Sequence, residues 1–219
     1  MFPIGDDDSG RRTTPVVTYV LIVLNILIFF IELNGGEAFI KQWAFVPSRF
    51  GSNPAGEAPT VLSAMFMHGG WLHLFGNMLY LWIFGDNVED ELGHSKFLLF
   101  YLLCGIAATF SQYYFAMRSS VPNVGASGAI AGVLGAYILM FPTTRVRVVV
   151  AQQVVEMPAI AVLGFWIALQ LFSGVGSIAQ TTETADTGGV AYMAHVGGFA
   201  AGLVLTLLLH GKPTAPKVS

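Results

Sequence analysis

The sequence predicts an all-α integral membrane protein, a six-transmembrane-helix bundle with a long first outer loop. Of its 219 residues, 54% are hydrophobic and 11% are charged, whereas a soluble domain carries about 25% charged residues. Six long apolar segments follow one another along the chain. Each approaches the ~20 residues that a membrane-spanning helix needs, which predicts six spans.

The connections between the apolar segments contain polar residues and prolines. Pro142 ends the fourth segment, and Pro158 stands in the first turn of the fifth, where proline is tolerated. The second segment has an alternative start near Leu62. The segments are 16–33, 71–84, 97–117, 125–141, 157–172 and 190–209.

Composition excludes several classes of function. Cys104 is the single cysteine, so the chain has no internal disulfide and no cysteine-rich metal site. The net charge of -3 gives no indication of a nucleic-acid partner. Acidic residues at 6–8 precede Arg11 and Arg12, a pattern that does not match a cleavable signal peptide.

The distribution of basic residues predicts the orientation of the helices. With the amino terminus in the cytoplasm, seven of the ten basic residues lie inside and three lie outside, so both termini are predicted to be cytoplasmic. The outer three are Lys41, Arg49 and Arg118, and the inner seven are Arg11, Arg12, Lys96, Arg145, Arg147, Lys212 and Lys217.

In this topology the second, fourth and sixth segments all run from the outside to the inside. Each has polar residues near its outer end: His73 and Asn77 in the second, Ser127 in the fourth and His195 in the sixth. At 1.5 Å per residue these four residues lie at a similar depth, roughly 3–10 Å below the helix ends. Since His73 and Asn77 are four residues apart, they share one helix face.

Small residues also recur at helical spacing beside the serine and the histidine. Gly128 and Gly132 share a face of the fourth segment, and Gly198 and Gly202 share a face with His195. Such faces let membrane helices approach closely. Close approach is what a Ser–His hydrogen bond of about 2.6–3.2 Å requires.

Other interpretations fit single residues. Ser127 fits a packing residue in a small-residue run, and His195 and Asn77 fit interhelical hydrogen-bonding groups. His68 and His73 fit two ligands of a zinc site, although no third and fourth ligands are well placed. A small transporter or channel is a further alternative, but charged residues within the spans are nearly absent.

Three blocks of sequence resemble the rhomboid family of intramembrane serine proteases. GASGAIAG (125–132) resembles the nucleophile motif of the family, and AHVGGFAAG (194–202) resembles its A-H-x-x-G-x-x-x-G motif. HGGWLHLFGNMLYLWIFGDNVEDELG (68–93) is similar to its second transmembrane segment, with the H-x-x-x-x-H-x-x-x-N pattern followed by G-x-x-(V/I)-E. The blocks occur in the family's order.

The resemblance implies a Ser–His dyad without an acidic third member and without a cofactor or metal. Ser127 would be the nucleophile and His195 the general base. The side chains of His73 and Asn77, with the backbone N–H of Ser127, would form the oxyanion hole. Glu89 would cap the inner end of the second segment.

The resemblance also implies a biological setting. The substrates of the protein would be transmembrane proteins in a lipid bilayer, with no oligomeric state assigned. The short tails and minimal core fit a bacterial inner membrane as the expected location, and a eukaryotic organelle is the alternative. The alternative is a catalytically inactive rhomboid-like protein that binds transmembrane segments. The expected division is a short cytoplasmic tail (1–15), a six-helix membrane domain (16–210) and a second short tail (211–219), with the loop 34–70 partly in the outer leaflet.

The sequence departs from the family pattern in two places. Members often carry an adjacent Trp-Arg pair in the first loop, whereas Trp43 and Arg49 are separate here. Some members have a tyrosine four residues after the nucleophile that stacks under the histidine. That position is Ala131 in this chain, so the resemblance does not explain what positions His195.

Overall fold

Helices form most of the architecture, as the sequence predicts. The computed structural model describes residues 2–179 and 191–209. The predicted tail at 211–219, with Lys212 and Lys217, and the start of the sixth segment at 190 lie outside the described residues. The helices are α1 (Val16–Trp43), α2 (Pro47–Ser52), α3 (Pro54–Ser63), α4 (Trp71–Leu92), α5 (His94–Phe115), α6 (Ser127–Met140), α7 (Ala159–Ala179) and α8 (Tyr192–Leu209).

Six of these helices (α1, α4, α5, α6, α7 and α8) correspond to the six apolar segments. Helices α1, α5 and α8 are long and apolar enough to cross a membrane, and shorter apolar helices occur in α6 and α7. Helix α4 carries four acidic residues near its carboxyl end, which lowers its hydropathy. The fold is thus a helical bundle compatible with six spans.

The first loop is more helical than the sequence suggests. Helix α1 continues through the first ten residues of the predicted loop and kinks at Gly36, whose φ of 58° favours glycine. The rest of the loop folds as α2, α3 and a 3-10 turn at Ala64–Phe66. Phe45 exchanges two backbone hydrogen bonds with Asn123, which ties this loop to the segment that leads into α6.

Helix α6 lies at the centre of the bundle. All of its residues from 128 to 137 are buried, and it packs against α4, α5 and α8. Its 14 residues extend about 21 Å at 1.5 Å per residue, whereas the hydrocarbon core of a bilayer is about 30 Å thick. A helix this short cannot reach both surfaces, so one of its ends lies within the membrane.

A small antiparallel sheet lies at one end of the bundle and was not predicted. Its strands are β1 (Phe2–Gly5), β2 (Arg145–Val150) and β3 (Gln153–Pro158), in the order β1-β2-β3. The predicted position of Pro158 in the first turn of the fifth helix is wrong, because Pro158 ends β3 immediately before α7. Proline fits there because β3 is an edge strand of the sheet and Pro158 is its last residue.

The amino-terminal segment is bound to the carboxyl end of α4. The Arg11 guanidinium forms a salt bridge of 2.5 Å with Asp86, and the backbone N–H of Thr13 donates to Asp90 at 2.7 Å. The Asp6 carboxylate accepts hydrogen bonds from the Tyr137 hydroxyl and the Asn87 amide. This end of the bundle is opposite to the amino ends of α4 and α6.

Glu89 caps a different helix from the one predicted. The side chain is fully buried and accepts hydrogen bonds from the backbone N–H groups of Val17 (2.8 Å) and Thr18 (2.7 Å), and from the Thr18 hydroxyl. These are unsatisfied donors in the first turn of α1. Glu89 therefore caps the start of α1 rather than the end of its own helix, α4.

Candidate active site

Ser127 and His195 form a hydrogen bond between neighbouring parallel helices. Ser127 is the first residue of α6, and His195 is the fourth residue of α8. The distance between Ser127 Oγ and His195 Nε2 is 2.8 Å. His195 is 8% exposed, and Ser127 is half-buried. The pair has the geometry of a nucleophile and a base within hydrogen-bond reach.

The glycine faces of α6 and α8 meet, as their spacing predicts. A β-carbon at Gly198 would overlap the carbonyl oxygen of Gly128, and one at Gly202 would overlap that of Gly132. The two backbones are therefore in direct contact along one helical turn. This close approach brings the short serine side chain within reach of the imidazole.

The other side of the imidazole contacts α7. His195 Nδ1 lies 2.7 Å from Gln170 Oε1. The ring of Trp166 packs against the imidazole with a centroid distance of 5.7 Å and an interplanar angle of 38°. Gln170 and Trp166 therefore contact the imidazole in this chain, where Ala131 replaces the tyrosine that stacks under the histidine in some family members. The sequence interpretation missed both, although Gln170 is the single polar side chain in the apolar segment 159–172.

His73 lies near Ser127, at the start of α4. Its Nδ1 accepts a hydrogen bond of 3.3 Å from the backbone N–H of Gly69, so the neutral ring carries its proton on Nε2. A β-carbon at Gly125 would lie 2.9 Å from this Nε2 and 3.5 Å from Ser127 Oγ. Gly125 has a φ of 136°, and both its conformation and the lack of space require glycine.

Asn77 lies one turn further along the same face of α4. It is 7% exposed, and its Nδ2 has no hydrogen-bond partner among the described residues. A buried amide donor without a partner costs free energy, so it marks either a structural defect or a group kept for a ligand. Asn77 Nδ2 and His73 Nε2 are therefore two hydrogen-bond donors on the same face of α4.

Two buried groups next to His73 extend the site. The His68 ring packs against the His73 ring at a centroid distance of 5.2 Å. The backbone N–H of His68 donates to the buried Glu32 carboxylate at 2.9 Å. In the described part of the chain, no three His, Cys, Asp or Glu side chains converge in a way that could hold a metal ion. Burial of Glu32 is a feature that the sequence interpretation missed.

A cavity of about 40 Å³ lies beside the Ser127 side chain. Its wall contains small residues from three helices, including Gly105 and Ala108 of α5, Gly128 of α6 and Ala194 of α8. Polar groups from Gln112 and Asn123 also line it. The volume is sufficient for one or two water molecules or a small side chain.

Arg49 anchors the first loop beside the site. Its guanidinium forms a salt bridge of 2.7 Å with Glu57 and donates to the backbone carbonyls of Ala44 and Lys41. The separation of Trp43 from Arg49 does not prevent this anchoring. Through the 3-10 turn, the loop also binds the segment before Ser127, because Gly125 N–H donates to the carbonyl of Ala64 at 2.9 Å.

The family model of the Rhomboid domain matches residues 55–212. This chain belongs to the rhomboid family. It is similar to the Rhomboid protease GluP of Bacillus subtilis, with 38% identity over 60% of this chain and 26% of that protein. It is also similar to the Putative rhomboid protease YdcA of the same species (32% identity, 59% of this chain and 64% of that protein).

Relatives from organelles also match this rhomboid chain. The Rhomboid-like protein 11, chloroplastic, of Arabidopsis thaliana is 30% identical over 70% of the chain and 53% of its own length. The chain spans between about a quarter and two thirds of the length of these three curated relatives. With the family assignment and its apolar helices, the protein is an integral membrane protein.

Proposed function

We propose that the protein is an intramembrane serine endopeptidase that hydrolyses peptide bonds in or near transmembrane segments of other membrane proteins. The observation that carries this proposal is the 2.8 Å hydrogen bond between Ser127 Oγ and His195 Nε2. A serine hydroxyl is a weak nucleophile unless a neighbouring base accepts its proton. The rhomboid family includes relatives whose names identify them as proteases.

The reaction uses these two side chains in sequence. Ser127 Oγ attacks the scissile carbonyl carbon while His195 Nε2 takes the hydroxyl proton. The tetrahedral intermediate collapses as the imidazolium gives that proton to the leaving amine, which breaks the C–N bond and leaves an acyl-serine. Water then attacks the acyl group with His195 again as base, and this step restores the free serine.

The oxyanion of each tetrahedral intermediate needs donors that are already in place. His73 and Asn77 share one face of α4, and Asn77 Nδ2 has no hydrogen-bond partner among the described residues. The backbone N–H of Ser127, in the first turn of α6, has no partner within its helix. These three groups act on the charge that develops during the reaction.

The cavity beside Ser127 favours a particular kind of substrate. Small residues line it, and its volume of about 40 Å³ suits a small side chain next to the scissile bond. A closed helix hides its carbonyl groups, so the segment that is cleaved must unwind. The substrates are therefore transmembrane segments with small or helix-destabilising residues near the cleaved bond.

The location follows from charge and from the position of the site. The distribution of basic residues favours cytoplasmic termini, and the dyad lies at the end of the bundle away from the amino-terminal segment. The active site then opens to the outer side. A bacterial inner membrane is the proposed location, in line with the two Bacillus relatives.

The proposal is tested with purified protein in detergent and a model transmembrane substrate. Ser127→Ala is expected to abolish cleavage and to prevent labelling by a serine-reactive fluorophosphonate. Asn77→Ala is expected to lower kcat by about 10- to 1000-fold because it removes one oxyanion donor. Ser120→Ala, at an exposed serine outside the site, is the matched control.

Mass mapping of the products completes the test. Unchanged cleavage by Ser127→Ala would refute the assignment of the nucleophile. A folded wild-type protein that neither cleaves the substrate nor binds the fluorophosphonate would instead favour the inactive rhomboid-like alternative, in which the same site only binds transmembrane segments.

A further inference from the structure

The imidazole of His195 has a second hydrogen-bond partner, on a helix that carries no residue of the proposed dyad or oxyanion hole. Gln170 Oε1 of α7 lies 2.7 Å from His195 Nδ1, while Ser127 Oγ lies 2.8 Å from Nε2 on the other side of the ring. The two contacts form a chain of three side chains. This chain has the connectivity of a nucleophile, a base and a group that orients the base.

The chemistry of the three groups fixes the direction of the hydrogen bonds. A neutral imidazole has one N–H and one bare nitrogen. For His195 Nε2 to accept the Ser127 proton, the imidazole proton must reside on Nδ1. The Gln170 side chain presents a carbonyl oxygen, which is an acceptor for that N–H. Gln170 therefore stabilises the tautomer that the base requires.

A second residue of α7 holds the plane of the same ring. Trp166 is four residues before Gln170, so the two side chains lie on one face of the helix. Its indole packs against the imidazole at 5.7 Å, tilted by 38°. The imidazole is thus held from α7 both by an edge hydrogen bond and by a face contact, whereas Ala131 offers only a methyl group.

A neutral acceptor suits this environment better than a carboxylate. His195 is buried, and a carboxylate in the same place would need partners for its charge in a medium of low dielectric constant. An amide oxygen orients the imidazole without placing a charge there in the resting state. When the imidazole becomes charged during the reaction, the hydrogen bond to Gln170 strengthens.

We propose that Gln170 is the positioning residue of His195 and completes a Ser127–His195–Gln170 chain, with Trp166 as its packing partner. This inference rests on the proposed function. Because both contacts come from α7, the proposal requires that α7 packs against α8 for the protein to be active.

The test compares three variants in the peptidase assay. Gln170→Met keeps the length of the side chain and removes the acceptor, and it is expected to lower kcat by about 10- to 100-fold, the effect of losing a hydrogen bond to a charged group. KM should change by less than about threefold, because Gln170 does not contact the cavity beside Ser127. Gln170→Glu, whose buried carboxyl group stays neutral, again presents a carbonyl oxygen to the imidazole and should recover kcat to within about threefold of wild type.

The matched control is Leu169→Met, which introduces the same side chain at the neighbouring exposed position of α7 and should leave kcat unchanged. Thermal unfolding of all variants separates loss of folding from loss of positioning. If Gln170→Met unfolds, Gln170→Leu takes its place as the variant that lacks the acceptor, with the same expected loss of kcat.

Two outcomes would overturn the inference. One is a Gln170→Met protein with the kcat of wild type, and the other is a Gln170→Glu protein as impaired as Gln170→Met while both remain folded. Ser127→Ala is measured in parallel, because full activity in that variant would refute the proposed function itself. Failure of the positioning role with an inactive Ser127→Ala protein would leave the dyad intact.

Discussion

Glu89 gives the sharpest prediction of stability, because its carboxylate is fully buried and hydrogen-bonded to the first turn of α1. The buried carboxylate accepts hydrogen bonds from the backbone N–H of Val17 and from the backbone N–H and hydroxyl of Thr18. A fourth contact joins it to His94 Nδ1 at 2.5 Å. In Glu89→Gln, one oxygen becomes an NH2 group, and either orientation of the amide sets this group against at least one backbone N–H. Up to two charge-assisted bonds are lost, at about 1.5–3 kcal/mol each.

The expected loss of stability is therefore about 3–5 kcal/mol. For a chain of this size such a loss corresponds to a decrease in Tm of about 6–20 °C. The assay is thermal unfolding of the detergent-solubilised protein. Fluorophosphonate titration then counts competent active sites, and the rate per labelled site should be unchanged because Glu89 lies at the opposite end of the bundle from Ser127.

Glu37→Gln is the matched control, since it makes the same chemical change at an exposed position of α1. Its salt bridge with Lys41 is exposed, and exposed ion pairs contribute little. We expect no measurable change in Tm for this variant. Equal unfolding temperatures of Glu89→Gln and Glu37→Gln would refute the prediction, because the buried network would then contribute nothing to the bundle.

Two further predictions concern helix contact and pH. Gly198→Ala introduces a methyl group against the Gly128 carbonyl oxygen. Since a displacement of about 1 Å at a catalytic group can lower the rate about 100-fold, we expect kcat to fall by at least that factor. Fluorophosphonate labelling as fast as in wild type would contradict this expectation. Burial raises the pKa of Asp6 from 3.8 to about 7, so docking of the amino-terminal strand is favoured fully below pH 3.8 and loses this contribution as the pH rises through about 7. Hydrogen exchange of residues 2–5, corrected for its intrinsic pH dependence, should therefore show weaker protection above pH 7 than at low pH in wild type but not in Asp6→Asn. Equal pH dependence of this protection in the two proteins would refute the role of Asp6.

The sequence predicts the helices and the convergence of polar residues for a physical reason. Three segments that run in the same direction place residues at equal distances from their starts at equal depths, so His73, Ser127 and His195 come to one end of the bundle. The i, i+4 spacing of the glycines further predicts which faces touch. Both arguments depend only on helix geometry, which the membrane imposes strongly.

The features that were missed depend on contacts that helix geometry does not determine. Whether Gln170 faces His195 depends on the rotation of α7 about its own axis, which packing against α8 sets. The hairpin of β2 and β3 has Ala151 and Gln152 at its turn, with φ values of 46° and 68°. Such turns usually contain Asn or Gly, so the common hairpin signal is absent from this sequence.

The two ends of the bundle differ in how completely their buried polar groups are hydrogen-bonded. Three of the five buried polar atoms without a hydrogen-bond partner in the described residues belong to His68 and Asn77, at the end that holds the dyad. Each such atom destabilises the fold. At the other end, the Glu89 carboxylate is fully bonded, and the amino-terminal segment adds salt bridges to α4. The well-bonded end keeps α1, α4 and α6 in register, and this allows the other end to retain unpartnered polar groups such as Asn77 Nδ2, which the proposed reaction would use.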